Sequence, residues 1–194
     1  MTKLIAGSDV SGDEIRGQHR HIAFIIGKEE DINAQYNKIG FREIHMLRLE
    51  EWQRTYIIQN IDFEKYNIKA WCFNVNKQNT VNLIYNDTKL HPKNKRKEQV
   101  YKNFDLHLLE HFKSDLENIA FPNELTLSDI RVQCDSDMSS TVRNWNMKSD
   151  SKGKAYELSD AIAWCNERGK ELKGCYECNL EQELYDKTSY ALFK

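Results

Sequence analysis

Four short acidic stretches carry the residue types that could do chemistry. Asp9 ends an apolar run, Leu4-Ile5-Ala6-Gly7-Ser8-Asp9, and is followed by Ser11 and Gly12. A carboxylate at the end of a buried strand is costly unless it is paired, hydrogen-bonded or bound to a metal. It reads either as a metal ligand or as an Asp that caps a turn. Glu43 and His45 stand two apart in the alternating stretch Phe41-Arg42-Glu43-Ile44-His45-Met46-Leu47, so an extended chain puts them on one face. Asp135 closes a second alternating stretch, Ile130-Arg131-Val132-Gln133-Cys134-Asp135. Asp160 lies in Tyr156-Glu157-Leu158-Ser159-Asp160-Ala161-Ile162-Ala163-Trp164-Cys165, off the helical stripe of Leu158, Ala161, Ile162 and Cys165, with Tyr156 and Trp164 one turn either side. It is either a surface Asp between partly buried rings or a group aimed into a metal site.

Carboxylates are hard oxygen donors that suit Mg²⁺ or Mn²⁺. Crowded together without a cation they repel, which favours binding one. Two such ions about 3.5–4 Å apart activate water and stabilise the leaving oxygen of a phosphodiester. His45 adds a group able to move a proton or to support a ligand.

These groups have to be positioned by strands and helices whose order the hydrophobic pattern gives. The first apolar run and the second, His21-Ile22-Ala23-Phe24-Ile25-Ile26-Gly27, predict two paired strands. A short helix or loop is expected over 29–38, a third strand over 41–47, and a helix over 50–59 from Leu49, Trp52 and Tyr56. A fourth strand is predicted over 68–75, a strand or irregular excursion over 80–85, and a long amphipathic helix over 98–119. The fifth strand is 130–135. Residues 139–153 read as an exposed loop, and 156–168 as a helix stopped by Gly169. The order is that of an α/β protein with a mixed sheet whose first three strands form an antiparallel meander.

The four stretches occur in an order that resembles an uncharacterised family of bacterial and archaeal ribonuclease H-like proteins. That family has Asp-Glu-Ser-Gly near its N-terminus, an internal Glu-x-His or Glu-x-Lys strand, a strand ending in Asp, and a late Leu-Ala-Asp helix. Here they correspond to Asp9-Val10-Ser11-Gly12, Glu43-Ile44-His45, Val132-Gln133-Cys134-Asp135 and Leu158-Ser159-Asp160, over about residues 4 to 168. Val10 and Ser159 depart from the Glu and Ala common there. The resemblance implies a five-stranded mixed sheet with three antiparallel N-terminal strands and helices on both faces. It implies Asp9, Asp135 and Asp160 as metal ligands. Glu43 matches the fourth acid, while Glu50 or Glu51 would suit an acid on the first helix. The implied activity is a Mg²⁺- or Mn²⁺-dependent nuclease acting on DNA or RNA, with Asp9, Glu43, Asp135, Asp160 and His45 at its centre. The alternative is an inactive member that binds nucleic acid or protein.

Composition sets the remaining bounds. A chain of 194 residues, 40% hydrophobic, suffices for one domain, here 1–194 with 170–194 as a C-terminal appendage. The net charge of -2 excludes a strongly basic surface throughout. Positive charge is concentrated in Lys89, Lys93, Lys95, Arg96, Lys97 and Lys102, which reads either as a solvated segment or as a phosphate-binding one. Five cysteines and no long apolar N-terminal run lead us to expect a cytoplasmic protein with reduced thiols and no membrane partner; a homo-oligomer stays open. Cys175 and Cys178 form a lone C-x-x-C, and His107 and His111 have i, i+4 spacing without the Glu of a zinc-protease helix. The cysteine pair reads as a coincidence of spacing, as half of a zinc site with Cys165 or a His, or as a redox pair; the histidines read as ordinary packing. There is no Gly-rich phosphate loop and no nucleophile elbow.

Overall fold

The computed structural model describes residues 3–11, 19–76, 129–135, 143 and 148–179. These form an α/β fold around a six-stranded mixed sheet. The strands are β1 (Leu4–Ser11), β2 (His19–Lys28), β3 (Lys69–Asn76), β4 (Ile130–Cys134), β5 (Lys148–Ser151) and β6 (Cys175–Asn179). Their spatial order is β5-β4-β1-β2-β3-β6. β2 runs antiparallel to both β1 and β3, whereas β4 is parallel to β1, β5 to β4 and β6 to β3. β1 is thus a central strand, which explains its apolar start: Ile5, Ala6 and Ser8 are all buried. In β2, five consecutive residues, Ile22 to Ile26, are buried, as expected of a strand covered on both faces.

Three α-helices lie among the described residues: α1 (Glu29–Ile39), α2 (Glu51–Asn60) and α3 (Lys154–Glu167). α1 buries Ile32, Gln35, Tyr36 and Ile39, one stripe at helical spacing, and ends at Gly40, whose positive φ of 76° lets its N–H reach back to the Tyr36 carbonyl. α2 is held at its start by Gln53, whose side chain accepts the Glu50 N–H at 2.8 Å. α3 is buried around most of its circumference and packs along β1 and β2. Its first turn takes a hydrogen bond from outside the helix, the Gln133 side chain accepting the Ala155 N–H at 2.8 Å.

Two expectations need correction. The predicted third strand over 41–47 is not a strand. The alternation is real, with Ile44 and Met46 buried and Glu43 and Leu47 exposed. Its amides, however, bond side chains of α3, and the segment ends in a 3-10 turn, Met46–Arg48. The predicted fourth strand takes the third place in the meander. The sheet also has six strands rather than five, because β5 lies in the stretch read as a loop and β6 in the stretch read as an appendage. Both are edge strands without a hydrophobic alternation to announce them. The readings over 80–85 and 98–119, the histidines His107 and His111, and the basic residues from Lys89 to Lys102 lie outside the described residues. No described helix is long and apolar enough to cross a membrane.

Candidate functional site

The odd-numbered face of β1 runs beneath α3, and three contacts mark its course. Gly7 meets the backbone of Ala155, Asp9 meets Asp160 and Tyr156, and the Ser11 hydroxyl donates to Glu167 at 2.6 Å. A period of two on the strand and about 3.6 on the helix keeps these pairs in step. Gly7 has no room for a side chain: a Cβ there would collide with the Ala155 carbonyl. The glycine therefore sets the depth at which α3 rests on the strand, two residues from Asp9.

Asp9 and Asp160 come together in hydrogen-bonding contact, although they stand at opposite ends of the chain. Asp9 is only 9% exposed. Burial raises the Asp160 carboxyl above its ordinary value, and the Met46 N–H, the His45 ring and Asp9 hold it back. The Met46 N–H donates to Asp160 Oδ2 at 2.8 Å, and His45 Nδ1 stands 3.6 Å from the same oxygen. That nitrogen is shielded from solvent and makes no hydrogen bond among the described residues.

Asp135 follows β4 on the strand adjoining β1, exposed, with its charge felt at Tyr156. Gly7 is paired with Gln133 across the parallel β1–β4 ladder, so Asp9 and Asp135 stand two residues further along adjacent strands. The Tyr156 hydroxyl registers all three acids. It donates to Asp9, and it is pushed above the ordinary tyrosine range by burial first and then by the charges of Asp9, Asp135 and Asp160.

Glu43 is not drawn into this group. It is exposed, and its charge acts on Tyr36 rather than on Asp160. Glu50 and Glu51 are also exposed, at the start of α2; Glu50 accepts the Trp52 indole N–H at 2.6 Å. The sequence reading missed Tyr156 and Glu157 as functional candidates. Glu157 accepts both the Tyr36 hydroxyl and the Ile44 N–H, the latter at 2.7 Å. Glu157 and Asp160 are three apart on α3, and the amides they take are two apart on the extended segment. Together they lash residues 44–46 to the helix. Their i, i+3 spacing was visible in the sequence, but the segment they hold was not.

This strap gives a first expected result. Glu157→Ala leaves the buried Ile44 N–H and Tyr36 hydroxyl without their acceptor and should cost about 1–3 kcal/mol in urea unfolding. Glu157→Gln, which keeps an acceptor oxygen, should cost less. Equal losses for the two variants would show that the strap is held by packing alone.

Among the described residues, no three His, Cys, Asp or Glu side chains gather into a cluster able to hold a metal ion. Asp9 and Asp160 have the donor chemistry for a divalent cation and are already in contact, while the third acid, Asp135, stands apart from them as an exposed residue. Cys175 and Cys178 both fall within β6. The described cysteines Cys72, Cys134, Cys165 and Cys175 form no disulfide, and burial pushes the Cys134 and Cys165 thiols up to about 11 and about 12. They are poor nucleophiles. No protein-family model and no curated protein matches the sequence.

Proposed function

We propose that the protein is a metal-dependent nuclease of ribonuclease H-like fold that hydrolyses phosphodiester bonds of DNA or RNA. The observation that carries this reading is the meeting of Asp9 and Asp160 beneath α3, with Asp135 on the adjoining strand. The antiparallel β1-β2-β3 meander, flanked by parallel β4, is the layout expected from the family that the sequence resembles. Asp9 and Asp160 would hold Mg²⁺ or Mn²⁺, with Asp135 as the third donor. The ion would supply charge stabilisation at the phosphoryl oxygens and an activated water.

The chain's own groups take recognisable parts. The Tyr156 hydroxyl orients Asp9, and the Met46 N–H fixes one oxygen of Asp160. His45 Nδ1, 3.6 Å from that oxygen, is placed to give or accept a proton at the edge of the pair. A second reading is a non-catalytic binding module. It is favoured by the same contact, because Asp9 and Asp160 satisfy each other and no three-residue ligand set is assembled among the described residues.

The two readings separate experimentally. Mg²⁺ or Mn²⁺ at millimolar concentration should raise the thermal midpoint, since an ion that binds only the folded chain stabilises it by mass action. Labelled DNA or RNA should be cut under the same conditions. Asp9→Asn should remove most of the midpoint increment and the cleavage together. A midpoint indifferent to both ions, with no cutting of any labelled strand, would favour the binding module.

A further inference from the structure

Trp164 lies one turn beyond Asp160 on α3 and is almost wholly buried, yet its ring is surrounded by charge. The Arg168 guanidinium lies 4.3 Å from the ring centroid, Lys170 Nζ 5.3 Å and the Arg54 guanidinium 5.4 Å. The indole face attracts each of them, which offsets part of their mutual repulsion. One carboxylate, Glu167, pairs with Arg168 at 2.7 Å. Among the described residues, Arg54 and Lys170 have no carboxylate within ion-pair distance.

This cluster is joined to the acidic pair by an unbroken line of contacts. Asp160 accepts the Met46 N–H, and the Met46 carbonyl accepts Arg54 Nε at 2.9 Å. Arg54 also donates to the Leu49 carbonyl, so its charge is fixed in place against Trp164. Arg168 and Lys170 are exposed and able to reach a ligand. Along the helix the step from Asp160 to Trp164 is just over one turn, a rise of about 6 Å.

We propose that Arg54, Arg168 and Lys170, gathered on Trp164, form a phosphate-binding cluster that seats the backbone of a nucleic acid one helical turn from Asp9 and Asp160. This rests on the nuclease reading. An acidic centre repels a polyanion, and cations fixed beside it supply the attraction needed for approach. Arg54 contributes a fixed positive field, while Arg168 and Lys170 make the direct contacts. The sequence offered the Lys89–Lys97 run for this task; the Trp164 cluster is assembled only by the fold, from α2 and the end of α3.

The test uses the full chain, its Arg168→Ala and Lys170→Ala variants and the double variant, with labelled single-stranded DNA and RNA oligonucleotides. Binding is followed by fluorescence anisotropy across a salt titration. Both residues are exposed, so the thermal midpoints should stay near that of the parent. Each substitution should weaken binding and lower the slope of log affinity against log salt by roughly 0.7 per lost contact. Affinity and slope unchanged in the double variant, or no binding by the parent chain, would overturn the cluster. Cutting that persists with an unmoved slope would overturn it too and leave the nuclease reading standing. A slope that falls as stated, without cutting by the parent chain in Mg²⁺ or Mn²⁺, would uphold the cluster and remove the nuclease reading.

Discussion

Asp160→Asn should abolish cleavage, by more than about 100-fold, since removing even a group one shell beyond a metal's ligands costs about 10–100-fold. The same substitution should leave the cation-free protein as stable as the parent at neutral pH, or more so. Burial raises the Asp160 carboxyl above its ordinary 3.8. A raised acid binds its proton more tightly in the folded chain, so its stabilising contribution is fully present below the unfolded value and is lost as pH rises through the folded value. At neutral pH the ionised group therefore weighs on the fold when no cation is present. Asparagine keeps an oxygen to accept the Met46 N–H and gains an amide to donate to Asp9, without the charge. The difference in midpoint between variant and parent should shrink as pH falls toward about 4. Mn²⁺ should raise the parent's midpoint and leave the variant's unmoved. A variant much less stable than the parent at neutral pH would mean that Asp160 serves the fold as an ionised acceptor.

Gly7→Ala should be the most damaging single-methyl change in the described structure. The added Cβ would collide with the backbone carbonyl of Ala155, and backbone cannot swing aside as a flexible side chain would. α3 has to lift or slide, which disturbs Leu158, Ile162 and Cys165 in the core. The loss should be roughly 3 kcal/mol or more. It should also separate Asp160 from Asp9, so any cation-dependent increment in the midpoint should fall with it. Gly40→Ala, at a helix end with nothing nearer than 4.0 Å, meets only the strain of a positive φ and should cost about 1 kcal/mol. Similar losses at the two glycines would show that the helix is not seated by contact at Gly7.

The strands of the central sheet were legible because burial leaves a pattern. β1, β2, β3 and β4 all carry apolar runs or clean alternation, and α3 was visible from its stripe and from Gly169. β5, with the sequence Lys148-Ser149-Asp150-Ser151, has no apolar residue at all. It pairs by backbone bonds at the edge, helped by the Arg131–Asp150 ion pair at 3.1 Å. Residues 41–47 misled for the opposite reason. Their alternation does report an extended chain with one buried face, but period two says nothing of what receives the amides. Glu157 and Asp160 receive them, so the stretch is a strap across α3.

The candidate site divides in the same way. Asp9, Asp135 and Asp160 stood out because acids beside buried apolar residues are costly, and the fold brings all three toward Tyr156. Tyr156 itself looked like one more partly buried ring. Nothing in the neighbours of Glu157 told of Tyr36 or Ile44. Trp164 read as a partly buried ring, and the fold buries it almost wholly. That it gathers cations from α2 and from beyond α3 depends on how those elements cross, and no local pattern encodes it.

The most direct measurement is an anomalous difference map from a crystal soaked in Mn²⁺. The account predicts a peak bonded to carboxylate oxygens of both Asp9 and Asp160, at about 2.1 Å, with the contact between the two acids opened to admit the ion. A map with no peak there at saturating Mn²⁺, and with Asp9 still hydrogen-bonded to Asp160, would contradict it.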